Sequence, residues 1–165
     1  MPEYAVQTNP EPLSHSEQRK VNELLRMATQ CRWEHDYEFA EGLLCKALVL
    51  DPDFPPCLLE LALCLAEGSS RFVSAEKLAR RAMHLQPDNP ENYFILGKIN
   101  ELGNRSDRAH RYYRQAVRLA PHRNEYKLAL DACPRSPGRS AAGRPGRTLG
   151  DTVRHKIVKL FGRKI

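Results

Sequence analysis

Apolar residues return at intervals of three and four along most of this chain. Leu24, Met27, Ala28 and Cys31 form one such set. After a break at His35 comes a second: Phe39, Ala40, Leu43, Leu44, Ala47 and Leu48. Leu58, Leu61, Ala62 and Leu65 precede Ala75, Leu78, Ala79 and Ala82 in the same way, and Tyr93, Leu96, Gly97 and Asn100 precede Ala109, Tyr112, Tyr113 and Ala116. Spacing of i, i+3, i+4, i+7 puts side chains on one face of an α-helix, whereas a strand alternates. The pattern predicts an all-α chain made of helix pairs. A shorter set after Pro121 has Tyr126, Leu128, Ala129 and Leu130 apolar, with Lys127 and Asp131 towards solvent. It predicts a last helix over 122–133 that covers the open end of the stack.

Stop and start signals agree. Ser14 with Glu17, and Asp88 with Glu91, have the spacing of capping boxes. Pro90 suits a first helical turn, where its missing N–H costs nothing. Gly68 and Gly103 fall where helices should end. The pairs also repeat. Ala47-Leu48-Val49-Leu50-Asp51-Pro52 returns as Ala82-Met83-His84-Leu85-Gln86-Pro87 and as Ala116-Val117-Arg118-Leu119-Ala120-Pro121, the prolines lying 35 and 34 residues apart. A period of about 34 residues is the mark of a helical repeat array. The repeats cover about 21–54, 55–89 and 90–122, inside a domain of 14–133 preceded by a flexible arm, 1–13. One extra residue fits in the turn Gly68-Ser69-Ser70-Arg71 of the second copy.

This pattern resembles the tetratricopeptide repeat (TPR) family. The family sets small residues where the two helices of a repeat approach, here Ala28, Ala62 and Gly97 against Ala40, Ala75 and Ala109. It ends each repeat on proline, and His35-Asp36-Tyr37-Glu38 is close to its Gly-Asp-Tyr-Glu turn. The resemblance implies a TPR-type α-solenoid whose first helices line a partner-binding groove. Carried onto this sequence, the groove contains Leu25, Thr29, Trp33, Leu59, Leu63, Phe94, Lys98 and Leu102. Its apolar strip, Leu25, Trp33, Leu59, Leu63 and Phe94, suits an amphipathic helix or an extended apolar peptide. Packing of that strip inside the solenoid, or cover by the N-terminal arm, is the competing expectation. One TPR subclass holds the C-terminal carboxylate of heat-shock chaperones in a Lys/Asn/Arg clamp. The clamp positions are Leu25, Thr29, Glu60, Glu91 and Ile95 here, so acids stand where cations are needed, and no such receptor is expected.

Charge divides the chain. Residues 134–165 contain nine Lys/Arg and one acid, a net of +8. The whole chain is +6, which leaves −2 for residues 1–133. On this count any attraction for an anionic partner belongs to the tail. Residues 134–147, rich in Pro, Gly, Ser and Arg, have the composition of a disordered linker. From 148 to 165 the pattern is a basic amphipathic helix: Leu149, Val153, Ile157, Leu160 and Phe161 on one face, Arg154, Lys156, Lys159, Arg163 and Lys164 elsewhere. Such a helix can lie on an anionic membrane, dock on a partner or fill its own groove. Nucleic acid fits less well, because Phe161 is the tail's single aromatic residue.

Chemistry is hard to find. Cys31, Cys45, Cys57, Cys64 and Cys133 are odd in number and include no CxxC pair, which predicts buried thiols in a reducing compartment rather than zinc or disulfides. The six histidines show no metal-ligand spacing, and no phosphate loop, HExxH or GxSxG is present. No cofactor and no catalysis are expected. Residues 1–12 lack the apolar core of a secretory leader, and Cys57–Ala66, interrupted by Glu60, is too short to span a bilayer. The reading is a cytoplasmic interaction scaffold. Tethering through the tail at the inner face of a membrane is one alternative, and a chaperone for secreted apolar segments is another.

Overall fold

The computed structural model describes residues 13–133. Seven helices follow in order: α1 His15–Trp33, α2 Tyr37–Leu50, α3 Pro55–Gly68, α4 Phe72–Leu85, α5 Pro90–Leu102, α6 Ser106–Leu119 and α7 Asn124–Ala132. Consecutive helices pack as antiparallel neighbours, which makes three pairs and a closing helix. Among the first helices, α3 also touches both α1 and α5, so the three form one layer of the stack, with α2, α4 and α6 behind them. Residues 1–12 of the expected arm 1–13, the linker 134–147 and the basic segment 148–165 lie outside the described residues, along with every residue named in them.

Local chemistry sets the ends. Ser14 caps α1 in a complete capping box: its hydroxyl accepts from the Glu17 N–H, and Glu17 accepts from the Ser14 N–H at 3.0 Å. Asp36 caps α2 through the Phe39 N–H. At α5 the cap is Asn89, which accepts from the Glu91 N–H, and not Asp88 as the capping-box spacing suggested. Pro90 occupies the first turn, so the start of the helix moves one residue past the box. The turns inside the three repeats share one conformation. His35, Ser70 and Asn104, each two residues beyond the helix end, adopt φ of 63°, 53° and 56°. The Asp36 and Arg105 N–H groups then reach back to Cys31 and Asn100, whereas that of Arg71 reaches Leu65. The longer return in the second repeat is the extra residue expected at 68–71.

Small residues let the pairs close. Ala28, Ala40, Ala62, Ala75, Ala79, Ala82, Ala109 and Ala116 have no exposed surface. Gly97 packs against the buried Tyr113 ring so closely that a Cβ there would lie 3.0 Å from Cζ and nearer still to Cδ1 and Cε1. Gly68 meets Tyr37 the same way, its virtual Cβ 2.6 Å from the tyrosine Cβ and Cγ. Some expected core positions are open instead. Met27 on α1, Phe39 on α2 and Leu128 on α7 are exposed. Helix α7 buries Tyr126 as its anchor.

Candidate functional site

The first-helix layer carries a pocket of about 220 Å³ lined by Leu25, Thr29, Pro55, Pro56, Leu59, Glu60, Gln86, Asn89, Glu91 and Ile95. Three helices build it. Leu25 and Thr29 are one turn apart on α1, and the Thr29 hydroxyl donates to the Leu25 carbonyl at 2.9 Å. Pro55 and Pro56 start α3, and Leu59 and Glu60 follow one turn on. Glu91 and Ile95 come from the first turns of α5. The five positions of the family's carboxylate clamp, Leu25, Thr29, Glu60, Glu91 and Ile95, therefore converge on one cavity, with two acids among them.

Neither acid is loose. Arg32 donates through Nε to Glu60 at 2.7 Å and through Nη1 to Glu67 at 3.2 Å, which ties the end of α1 to α3. Burial disfavours the Arg32 charge, but Glu60 and then Glu67 outweigh it and hold the guanidinium above its ordinary pKa. Glu91 accepts from the Tyr126 hydroxyl at 2.7 Å, and Arg123 stands 3.7 Å away. The Tyr126 hydroxyl is pushed up by burial and by Glu91. The pocket thus carries two carboxylates at its rim, each held in place by a hydrogen-bonding partner.

The eight groove residues named from sequence do not form one open surface. Leu25, Thr29 and Leu59 line the pocket. Leu59, Leu63 and Phe94 are only 7%, 3% and 6% exposed, so the continuous apolar strip is corrected: most of it is core. The reason is the closing helix and the close first-helix layer. Tyr126 of α7 stacks on Phe94 at 4.8 Å between centroids, and Lys98 Nζ lies over the same ring at 5.8 Å. Trp33 and Leu102 are exposed, Trp33 at 69%, with the Arg32 guanidinium 5.0 Å from its ring centroid. Trp33 lies eight residues beyond Leu25, roughly 12 Å along the helix, and is not part of the pocket. The tail residues, Leu149 to Lys164, lie outside the described residues.

Sequence reasoning missed Pro55, Gln86 and Asn89 in the pocket, and it missed the role of Arg32. A signal existed. Arg32–Glu60, Arg81–Asp53, Arg105–Glu76 and Arg71–Glu41 pair at separations of 28, 28, 29 and 30 residues. Opposite charges set just under one repeat apart are neighbours in a solenoid. Asn92 is a second missed device: buried, it donates to the carbonyls of Ala82 and Gln86, locking α5 to the end of α4.

Cys57, Cys64 and Cys133 are buried as expected, but Cys45 is exposed and Cys31 partly so. Burial pushes the Cys57 and Cys64 thiols up to about 12. Among the described residues no group of three His, Cys, Asp or Glu is placed to hold a metal, and no helix is long and apolar enough to cross a membrane.

No protein-family model and no curated protein matches the sequence. Solved structures do resemble the fold. Thermobaculum terrenum O-GlcNAc transferase superposes with a TM-score of 0.65 at 22% identity over 72% of this chain, which spans only 22% of that enzyme. The first TPR domain of Spaghetti (RPAP3), solved with an HSP90 peptide, gives 0.61 at 19% identity, covering 68% of this chain and 89% of that one. The Yersinia enterocolitica type III secretion translocator chaperone SycD gives 0.62 at 15% identity, covering 73% and 96%. Identities this low speak for the fold alone, and they agree with the repeat, the shared turns and the small-residue contacts: residues 13–133 form a tetratricopeptide-repeat solenoid of three helix pairs closed by a seventh helix.

Proposed function

We propose that this chain is a non-catalytic scaffold that holds a partner protein by a short segment seated in the pocket between α1, α3 and α5. The observation that carries the reading is the lining itself. Leu25, Pro55, Pro56, Leu59 and Ile95 offer an apolar floor, while Glu60 and Glu91 place carboxylates at the rim. A segment with an apolar side chain beside a Lys or Arg satisfies both. A chaperone-type acidic tail meets repulsion at the place where its carboxylate would need cations. The likeness to SycD in fold and length supports the related reading of a chaperone for secreted segments, which would use the same seat.

The test places a photo-crosslinking residue at Thr29 of the full chain, with a second version carrying it at the outward-facing Val49. Adducts formed from position 29, absent from position 49 and lost on Leu25→Arg, are the expected result. Binding of synthetic peptides supplies the selectivity. A Leu/Lys-containing peptide should bind more tightly than the acidic peptide SRMEEVD. The reverse order, or adducts indifferent to Leu25→Arg, overturns the proposal.

A further inference from the structure

Away from the first-helix layer, the second helices of repeats two and three present a strongly cationic surface. Helix α4 carries Lys77, Arg80 and Arg81, and α6 carries Arg108, Arg111, Arg114 and Arg118, against Glu76 and Asp107 as the acids of the two helices. The near-neutral total for residues 1–133 hides this, because acids elsewhere cancel it in the sum. Attraction for an anion is therefore not confined to the tail.

The arginines are gathered by one carboxylate. Glu76, itself buried, accepts from Arg80 at 2.9 Å and from Arg105 at 2.6 Å, and Arg108 lies 4.0 Å from it. One carboxylate cannot neutralise three guanidiniums. Arg111 adds a fourth, which donates to the Asp107 carbonyl and not to a carboxylate. Against Glu76 and the Asp107 side chain together the group retains two positive charges. Arg80, Arg108, Arg111 and Tyr112 line a cleft of about 330 Å³ between α4 and α6. A neighbouring cleft of about 290 Å³ shares Arg108 and Arg111 and adds Arg105 and Asp107. Because Glu76 holds guanidiniums from two different repeats, the cations are assembled before any ligand arrives, which lowers the entropic cost of binding.

We propose that this cleft binds a phosphate monoester carried on a segment of a partner protein. The excess of two charges matches a phosphate monoester, which carries about −1.5 to −2 near neutral pH. Guanidinium forks reaching from α4 and α6 suit its three terminal oxygens better than the two of a carboxylate. The lining favours a single anionic group over a long polyanion or a bilayer. Tyr112, half-buried, is its one aromatic ring, so there is no platform for stacked bases. The cleft offers no aliphatic side chain for insertion among lipid tails. This site is separate from the inner-face pocket and would give the scaffold a second, modification-dependent contact.

The test is an NMR titration of the ¹⁵N-labelled full chain, read at the arginine Nε–Hε signals so that the basic tail reports separately. The probes are acetyl-Gly-phosphoserine-Gly-amide, the same peptide with serine, inorganic phosphate, an oligouridylate and phosphatidylserine vesicles. The phosphopeptide should shift Arg80, Arg108 and Arg111 with at least about tenfold higher affinity than the serine peptide, consistent with a charge-assisted contact. Arg111→Gln and Arg108→Gln should each weaken it several-fold, while Arg118→Gln leaves it unchanged. Equal response to the serine peptide, shifts spread evenly over all exposed arginines, or indifference to Arg111→Gln overturns the proposal. Inorganic phosphate binding as tightly as the phosphopeptide overturns the peptide source. Stronger perturbation of these arginines by oligouridylate or vesicles, at equal phosphate, shows a polyanion or lipid surface and overturns it likewise.

Discussion

Two helical glycines should respond to the same substitution with opposite signs. Gly→Ala inside a helix ordinarily stabilises by roughly 0.5–1 kcal/mol, because alanine loses less backbone entropy. Gly42 in α2 has nothing within 4 Å of a virtual Cβ, so Gly42→Ala should show that gain undiminished. Gly97 in α5 faces the Tyr113 ring, with three ring carbons at or inside 3.0 Å of the same virtual atom. Carbon contacts are optimal near 3.5–4.0 Å, so the ring must retreat by about 1 Å. It has little room to do so. Tyr113 is fully buried, leans on Phe94, and donates its hydroxyl to Glu101 at 2.6 Å. Overpacking of this kind costs about 1–3 kcal/mol, and a strained or lost hydrogen bond to a carboxylate adds about 1.5–3 kcal/mol. Set against the propensity gain, Gly97→Ala should lose about 2–5 kcal/mol net. For a domain of this size that is a fall in Tm of roughly 8–20 °C, against a rise of roughly 2–4 °C for Gly42→Ala. Urea unfolding by circular dichroism measures both. In a cycle with Tyr113→Leu, the coupling should exceed about 1 kcal/mol, since the smaller side chain removes the clash. A neutral or stabilising Gly97→Ala refutes the close approach of α5 and α6.

Further expectations follow from the ion pairs, the thiols and the tail. Arg32→Ala leaves Glu60 and Glu67 without their shared cation. A buried pair broken on one side costs about 3–5 kcal/mol, reduced here to about 2–3 kcal/mol because both glutamates keep some contact with water; denaturant midpoints at pH 7 check this. Glu76 is opposed by burial but held below the usual carboxylate range by Arg80 and then Arg105. A depressed carboxylate stabilises the fold above its unfolded pKa of about 4.3 and loses that contribution as pH falls through the lowered value. Glu76→Gln should therefore shrink the stability difference between pH 7 and pH 3, and an unchanged acid limb would count against the cluster. Iodoacetamide with peptide mapping should modify the exposed Cys45 well before Cys57 and Cys64, whose thiols burial pushes up to about 12. If the tail tethers the protein, deleting 147–165 should abolish co-sedimentation with anionic vesicles at low salt; retention of binding would refute the tether.

Much of the architecture is legible in the residues themselves. Helix periodicity, the proline-ended repeat, the Ser14–Glu17 box and the alanines and Gly97 at close approaches are local signals. The extra residue at 68–71 is another, found in the structure as the longer return of Arg71 to Leu65. The five residues around the inner pocket were also named together, although only as positions carried over from a family. What the sequence could not decide was which of two apolar faces meets solvent. Leu59, Leu63 and Phe94 have the same spacing whether they line an open groove or a closed layer. Their burial depends on how near α1, α3 and α5 approach and on where Tyr126 of α7 comes to rest, and both are properties of the assembled stack. Charge behaves alike. A sum over 1–133 determines the total, but only the fold brings Arg80, Arg105, Arg108 and Arg111 around Glu76 from two repeats. Coulomb forces act over distances in space, and a one-dimensional count discards those distances.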